Sequence, residues 1–69
     1  MKISARNQIR GTIVDIQKGI TTAHVRVDIG GGVVVTSSIT NEAVADLALA
    51  SGQVVWVVIK ASNVMIGIA

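Results

Sequence analysis

Residues Ile20–Ile29 read ITTAHVRVDI, and three glycines follow at Gly30–Gly32. Ala23, Val25, Val27 and Ile29 fall on one parity of this stretch, and Thr22, His24, Arg26 and Asp28 on the other. Successive side chains of an extended chain point to opposite faces, so the stretch reads as a strand with one apolar and one polar face. Glycine reaches positive φ without a Cβ clash, so the triplet reads as a hairpin turn. The run VVVTSSI at Val33–Ile39 then supplies the returning strand.

Upstream, NQIRGTIVDI at Asn7–Ile16 is rich in β-formers with Gly11 in its middle, where an isolated glycine marks a bulge or a barrel bend. Lys18-Gly19 turns the chain into the alternating strand. Downstream the period changes. Thr40-Asn41 offers an N-cap, Glu42 sits in the first turn, and Val44, Leu47 and Ala48 recur at helical spacing, which predicts a short helix over 41–48. Ser51-Gly52 ends the connection, and QVVWVVIK (Gln53–Lys60) and SNVMIGI (Ser62–Ile68) read as a fourth and a fifth strand. Three strands, a short helix and two strands are the element order of an OB-type barrel. The expected fold is therefore all-β, a five-stranded OB-like barrel with one short helix between strands 3 and 4. With no Pro, no low-complexity segment and no linker, residues 1–69 read as a single domain.

A chain of 69 residues has a marginal core, burying only about 60% of its unfolded surface. Disulfides are excluded by the absence of Cys, and a single His argues against a structural zinc site. Oligomerisation is the remaining way to gain stability, and 51% apolar against 14% charged residues favours it. The fourth strand is apolar on both faces, Val54, Trp56 and Val58 on one and Val55, Val57 and Ile59 on the other. A lone small barrel fills one interior, so the second face is expected to meet another copy. A membrane span needs about 20 apolar residues in a row, and the runs here are short and interrupted. Lys2, Arg6 and Arg10 are followed by no apolar stretch of signal-peptide type. The expectation is a cytoplasmic protein with no membrane partner.

Catalytic constellations are missing. His24 lies on a polar strand face, and Asp15, Asp28, Glu42 and Asp46 sit in different elements with no acid–base spacing, reading as solvated. The glycine triplet lies between two strands and opens no helix, so it is a weak phosphate-loop candidate and reads as a turn, with a secondary role in an oligomer contact left open. The expectation is a non-enzyme without a cofactor or a protein-ligated metal. Single-strand nucleic-acid binding needs aromatic platforms and a positive groove. Here Trp56 is the one aromatic residue, within an apolar run that reads as core or interface, and a net charge of +2 is mild.

Two polar clusters stand out, Ser4-Ala5-Arg6-Asn7 near the start and Lys60-Ala61-Ser62-Asn63 between the last two strands. Each joins a cation, a small residue, a hydroxyl and an amide, and neither contains a carboxylate. Arg offers a rigid fork of donors, Lys a point charge, and small residues let a ligand approach backbone N–H groups. Thr40 adds a hydroxyl at the helix start. Monohydrogen phosphate carries a proton and gains from an acceptor, whereas molybdate, tungstate or sulfate wants donors alone. The clusters also read as plain polar strand ends. Spacing by itself does not choose between the two readings.

SARNQIRGTIVDIQKG, HVRVDIGGG, SSITNEAVADLAL and VVIKASNVMIGIA, in this order, resemble the molbindin (Mop) family over essentially the whole chain. The resemblance implies a small OB-like barrel of the TOBE/Mop type. It implies a homohexamer, a trimer of dimers, that binds molybdate or tungstate at subunit interfaces for storage or homeostasis. It points to Ser4 and Arg6 as oxyanion contacts with Ala5 and Asn7 flanking, to Lys60 with Ala61 and Ser62 beside it, and to the Thr40 hydroxyl. Many members of that family carry Ser where this chain has Ala43, so a contact there falls to the backbone N–H or is absent. Two other readings compete: an OB-fold nucleic-acid-binding module and a ligand-free oligomerisation module.

Overall fold

The structure is a computed structural model and describes all 69 residues. The elements are β1 (Asn7–Lys18), β2 (Thr22–Gly30), β3 (Val33–Thr40), α1 (Asn41–Asp46), β4 (Val54–Ile59) and a 3-10 turn at Ala61–Asn63. The strands form one antiparallel sheet in the order β3-β2-β1-β4. β2 behaves as its alternation requires, with Ala23, Val25 and Val27 buried and Thr22, His24, Arg26 and Asp28 exposed. Gly30, Gly31 and Gly32 all have positive φ in the β2–β3 turn.

The core lies on the concave face of this sheet. It consists of Ile13, Ala23, Val25, Val27 and Val44, flanked by Ile16, Ile29, Ile39, Leu49, Val55 and Val57. α1 is fixed at both ends. Thr40 caps the start, its Oγ1 accepting from the Ala43 N–H at 3.0 Å. At the other end Ala48 takes a left-handed φ of 50°. The Leu49 N–H donates to the Val44 carbonyl and the Ala48 N–H to the Ala45 carbonyl, both at 3.0 Å. That pair of bonds is a Schellman motif, and Leu49 packs back on the core that holds Val44. The motif stops the helix at Asp46, short of the 48 expected from spacing.

Gly11 is buried because β1 closes on β2 there. A Cβ at this position would lie 2.6 Å from Val27 Cγ1 and 2.7 Å from the Asp28 carbonyl oxygen. The β1–β2 register shifts farther along, between Ile13 and Asp15. So the glycine serves close approach, and the bulge falls at Val14.

Two expectations are corrected. The chain forms four strands, not five, and β3 and β4 remain the free edges of a curled half-barrel rather than closing it. After the 3-10 turn, residues 64–69 form no strand, and Met65, Ile66 and Ile68 are about nine-tenths exposed or more. Their apolar pattern specifies burial but names no partner edge, and no edge of this chain takes them up. Trp56 is likewise outside the core, on the outer face of β4 with Val54 and Val58, all about half exposed.

The exposure can be quantified. The chain exposes 5301 Å², where a folded monomer of its mass exposes about 4,100 Å². The excess, about 1,200 Å², exceeds the ~800 Å² that one partner contributes to a standard interface. The Cα radius of gyration, 12.6 Å, also exceeds the ~11 Å of a compact chain this long.

Candidate functional site

The pairing of β1 with β4 builds the site. Asn7 lies opposite Ile59 in the register, so the segment entering β1 and the segment leaving β4 emerge at the same end of the sheet. The Asn7 side-chain amide donates to the Ile59 carbonyl at 3.1 Å, tying the two strands where they diverge. Gln8 Nε2 donates to the Ala5 carbonyl at 3.0 Å and steadies the incoming chain. On the other side the 3-10 turn is closed by the Asn63 N–H on the Lys60 carbonyl at 2.9 Å and the Val64 N–H on the Ala61 carbonyl at 3.3 Å.

Between the two segments lies an open hollow of about 690 Å³, lined by Ser4, Ala5, Arg6, Val58, Lys60, Ala61, Ser62 and Asn63. Its polar side chains are a guanidinium, an ammonium, two hydroxyls and one carboxamide, with no carboxylate among them. The single ion pair of the chain joins Arg26 to Asp15 at 2.9 Å and lies elsewhere, so Asp15 is paired rather than simply solvated. Arg6 and Lys60 have no anionic partner, and the Ser4 and Ser62 hydroxyls make no hydrogen bond within the chain. Two cations held beside one hollow without a counter-ion repel each other weakly and attract any anion that enters. Arg presents parallel N–H donors to a pair of oxygens, and Lys adds a point charge.

The structure thus brings Ser4, Ala5, Arg6, Lys60, Ala61 and Ser62 together. Asn7 stands behind them with its amide committed to β4. Thr40 and Ala43 are elsewhere. Thr40 pairs with Thr22, beside the Lys18 end of β1, a strand of 12 residues whose path is roughly 35 Å long. The Ala43 N–H is already taken by the Thr40 hydroxyl oxygen, which leaves the Thr40 O–H as the free donor at that end. Two lining residues were absent from the expected set, Val58 and Asn63. Both have a signal in the sequence: alternation along β4 sets Val58 on the face of Lys60, and Asn63 completes the KASN cluster.

Fold and hollow together define an OB-like β domain with a cationic, carboxylate-free hollow at one end. The TOBE domain pattern matches residues 3–66. A protein of Haemophilus influenzae described as "Probable molybdenum-pterin-binding protein" is 47% identical over 68 residues, covering 99% of each chain. Among solved structures, MopII from Clostridium pasteurianum superimposes with a TM-score of 0.90 at 40% identity, over 97% of this chain and 100% of that one. The cytoplasmic molybdate-binding protein ModG, solved with molybdate bound, gives 0.93 at 43% identity; it covers 100% of this chain, which spans 49% of ModG. The chain belongs to the TOBE-domain family, among its molybdenum-pterin-binding (Mop) members.

Proposed function

We propose that this protein binds molybdate or tungstate as a cytoplasmic homo-oligomer, a hexamer built as a trimer of dimers, and serves in storage or homeostasis of the anion. The observation that carries the reading is the hollow in which Arg6 and Lys60 converge with two free hydroxyls and no carboxylate. A fully deprotonated tetrahedral dianion fits a cationic set of donors that holds no carboxylate, and it exchanges water for charge-assisted hydrogen bonds. The relatives support the choice of anion, since ModG was solved with molybdate bound and is described as cytoplasmic.

The hollow is open to solvent, and we take one chain to supply half a site. In this reading a second copy closes it and brings the Thr40 hydroxyl, with Ala43 beside it, against the Arg6 and Lys60 half. The exposed surface supports such an assembly. The outer face of β4, the tail after Asn63 and two free sheet edges are left for other copies to cover, and symmetry then repeats the site. Arg6 and Lys60 contribute charge. Ser4, Ser62 and Thr40 contribute hydroxyl donors, and Ala5 and Ala61 allow close approach to the backbone.

The test is titration calorimetry of Arg6→Ala and Lys60→Ala with molybdate, beside native mass measurement. Each substitution removes a charged donor, worth about 1.5–3 kcal/mol, so the dissociation constant rises about ten- to a hundredfold while the assembly keeps its mass. Wild-type binding by both variants refutes the assignment.

A further inference from the structure

Resting on the reading that the Thr40 hydroxyl donates to the bound anion, we propose that Asn41 is the positioning residue that sets this donor. Asn41 makes three bonds to one turn. Its side-chain Nδ2 donates to the Gly19 carbonyl at 3.0 Å and to the Ile20 carbonyl at 3.3 Å. Its backbone N–H donates to the Thr21 carbonyl at 2.9 Å. The β1–β2 turn is thereby fastened to the residue that follows Thr40. The orientation of the amide is unambiguous, since the reverse would set Oδ1 against two carbonyl oxygens. It is kept although it leaves Oδ1 buried without a donor, so holding the turn is what this side chain does.

The consequence falls on Thr40. Its backbone is fixed by pairing with Thr22, the first residue of β2 beyond that turn, and its Oγ1 is fixed by accepting from the Ala43 N–H. With one lone pair committed, the rotamer is set and the hydroxyl proton is free to point outward. α1 has six residues and is too short to hold its start by its own helical bonds. The Asn41 clasp supplies that rigidity, so Thr40 meets an anion already oriented and loses little rotational freedom on binding.

The experiment is a double-mutant cycle read by calorimetry with sodium molybdate on the full chain. Thr40→Val keeps the shape but removes both the O–H donor and the acceptor that caps the Ala43 N–H, so it is read beside Thr40→Ser, which keeps both and is expected to bind like the wild type. Asn41→Ala removes the clasp and keeps the helix. Asn41→Ser, which retains one short donor at a position suited to serine, serves if the alanine variant folds poorly. Asn41→Ala is expected to raise the dissociation constant about three- to tenfold, with Asn41→Ser in between, and to have no further effect in the Thr40→Val background. Circular dichroism and native mass verify that the variants are folded and assembled. If Thr40→Val weakens binding and Asn41→Ala does not, or if the two losses multiply in full, Asn41 is structural and the positioning role is overturned. If Thr40→Val binds like the wild type, the underlying place of Thr40 in the site fails, and the proposal fails with it.

Discussion

Gly11→Ala is the substitution whose cost the coordinates define best. The added Cβ would meet Val27 Cγ1 at 2.6 Å and the Asp28 carbonyl oxygen at 2.7 Å, with Ile29 Cγ2 at 3.2 Å. Carbon atoms rest about 3.5–4.0 Å apart, so roughly 1 Å must be found. Val27 is 3% exposed and, being β-branched, stiff at χ1, and the carbonyl belongs to the backbone of β2. The strands themselves must separate. Overpacking of this kind costs about 1–3 kcal/mol, and a backbone obstacle places it at the upper end. Alanine recovers about 0.5–1 kcal/mol of the entropy that glycine loses in a strand, leaving a net loss of about 2 kcal/mol. At about 4–8 °C per kcal/mol for a domain of this size, the melting temperature falls by about 8–16 °C. The assay is thermal unfolding followed by circular dichroism, with protomer concentration matched because the proposed assembly would make the midpoint concentration-dependent. A variant that melts with the wild type would refute the close approach of β1 and β2 at Gly11.

Two further substitutions address the site and the assembly. Ser62→Asp puts a carboxylate into a hollow that has none; it neutralises Arg6 or Lys60 from within and repels a dianion, so molybdate affinity falls by about tenfold or more by calorimetry, and unchanged affinity refutes the account of a carboxylate-free cationic site. Deleting residues 64–69 removes the exposed apolar tail, and native mass spectrometry is expected to show fewer subunits per assembly; an unchanged subunit number means the tail does not join the subunits.

The sequence was most informative where a pattern is local. The parity of Ala23, Val25 and Val27 located β2 and its buried face, and the glycine triplet located its turn. The helix start was legible from Thr40, whereas its stop depended on Ala48 entering the left-handed region, a conformation that alanine does not advertise. The tail from Val64 to Ile68 carries a strand-like pattern, yet a strand needs an edge to pair with, and hydrophobic periodicity does not say whose edge. The same limit applies to the site. The SARN and KASN clusters were visible as compositions, but their meeting depends on Asn7 lying opposite Ile59, a pairing between residues 52 apart in the chain. Thr40 sits at the far end of the sheet. The part proposed for it requires a second copy, which no reading of one chain's local pattern defines.

The central claim is that a cationic, carboxylate-free hollow selects a fully deprotonated tetrahedral dianion. Parallel calorimetric titrations of the wild-type protein with molybdate, tungstate, sulfate and phosphate at neutral pH test it directly. The account predicts saturable heat with molybdate and tungstate and far weaker binding of phosphate, whose proton finds no carboxylate to accept it among Ser4, Arg6, Lys60, Ser62 and Asn63. Equal binding of phosphate, or no heat with any of the four anions, would contradict it.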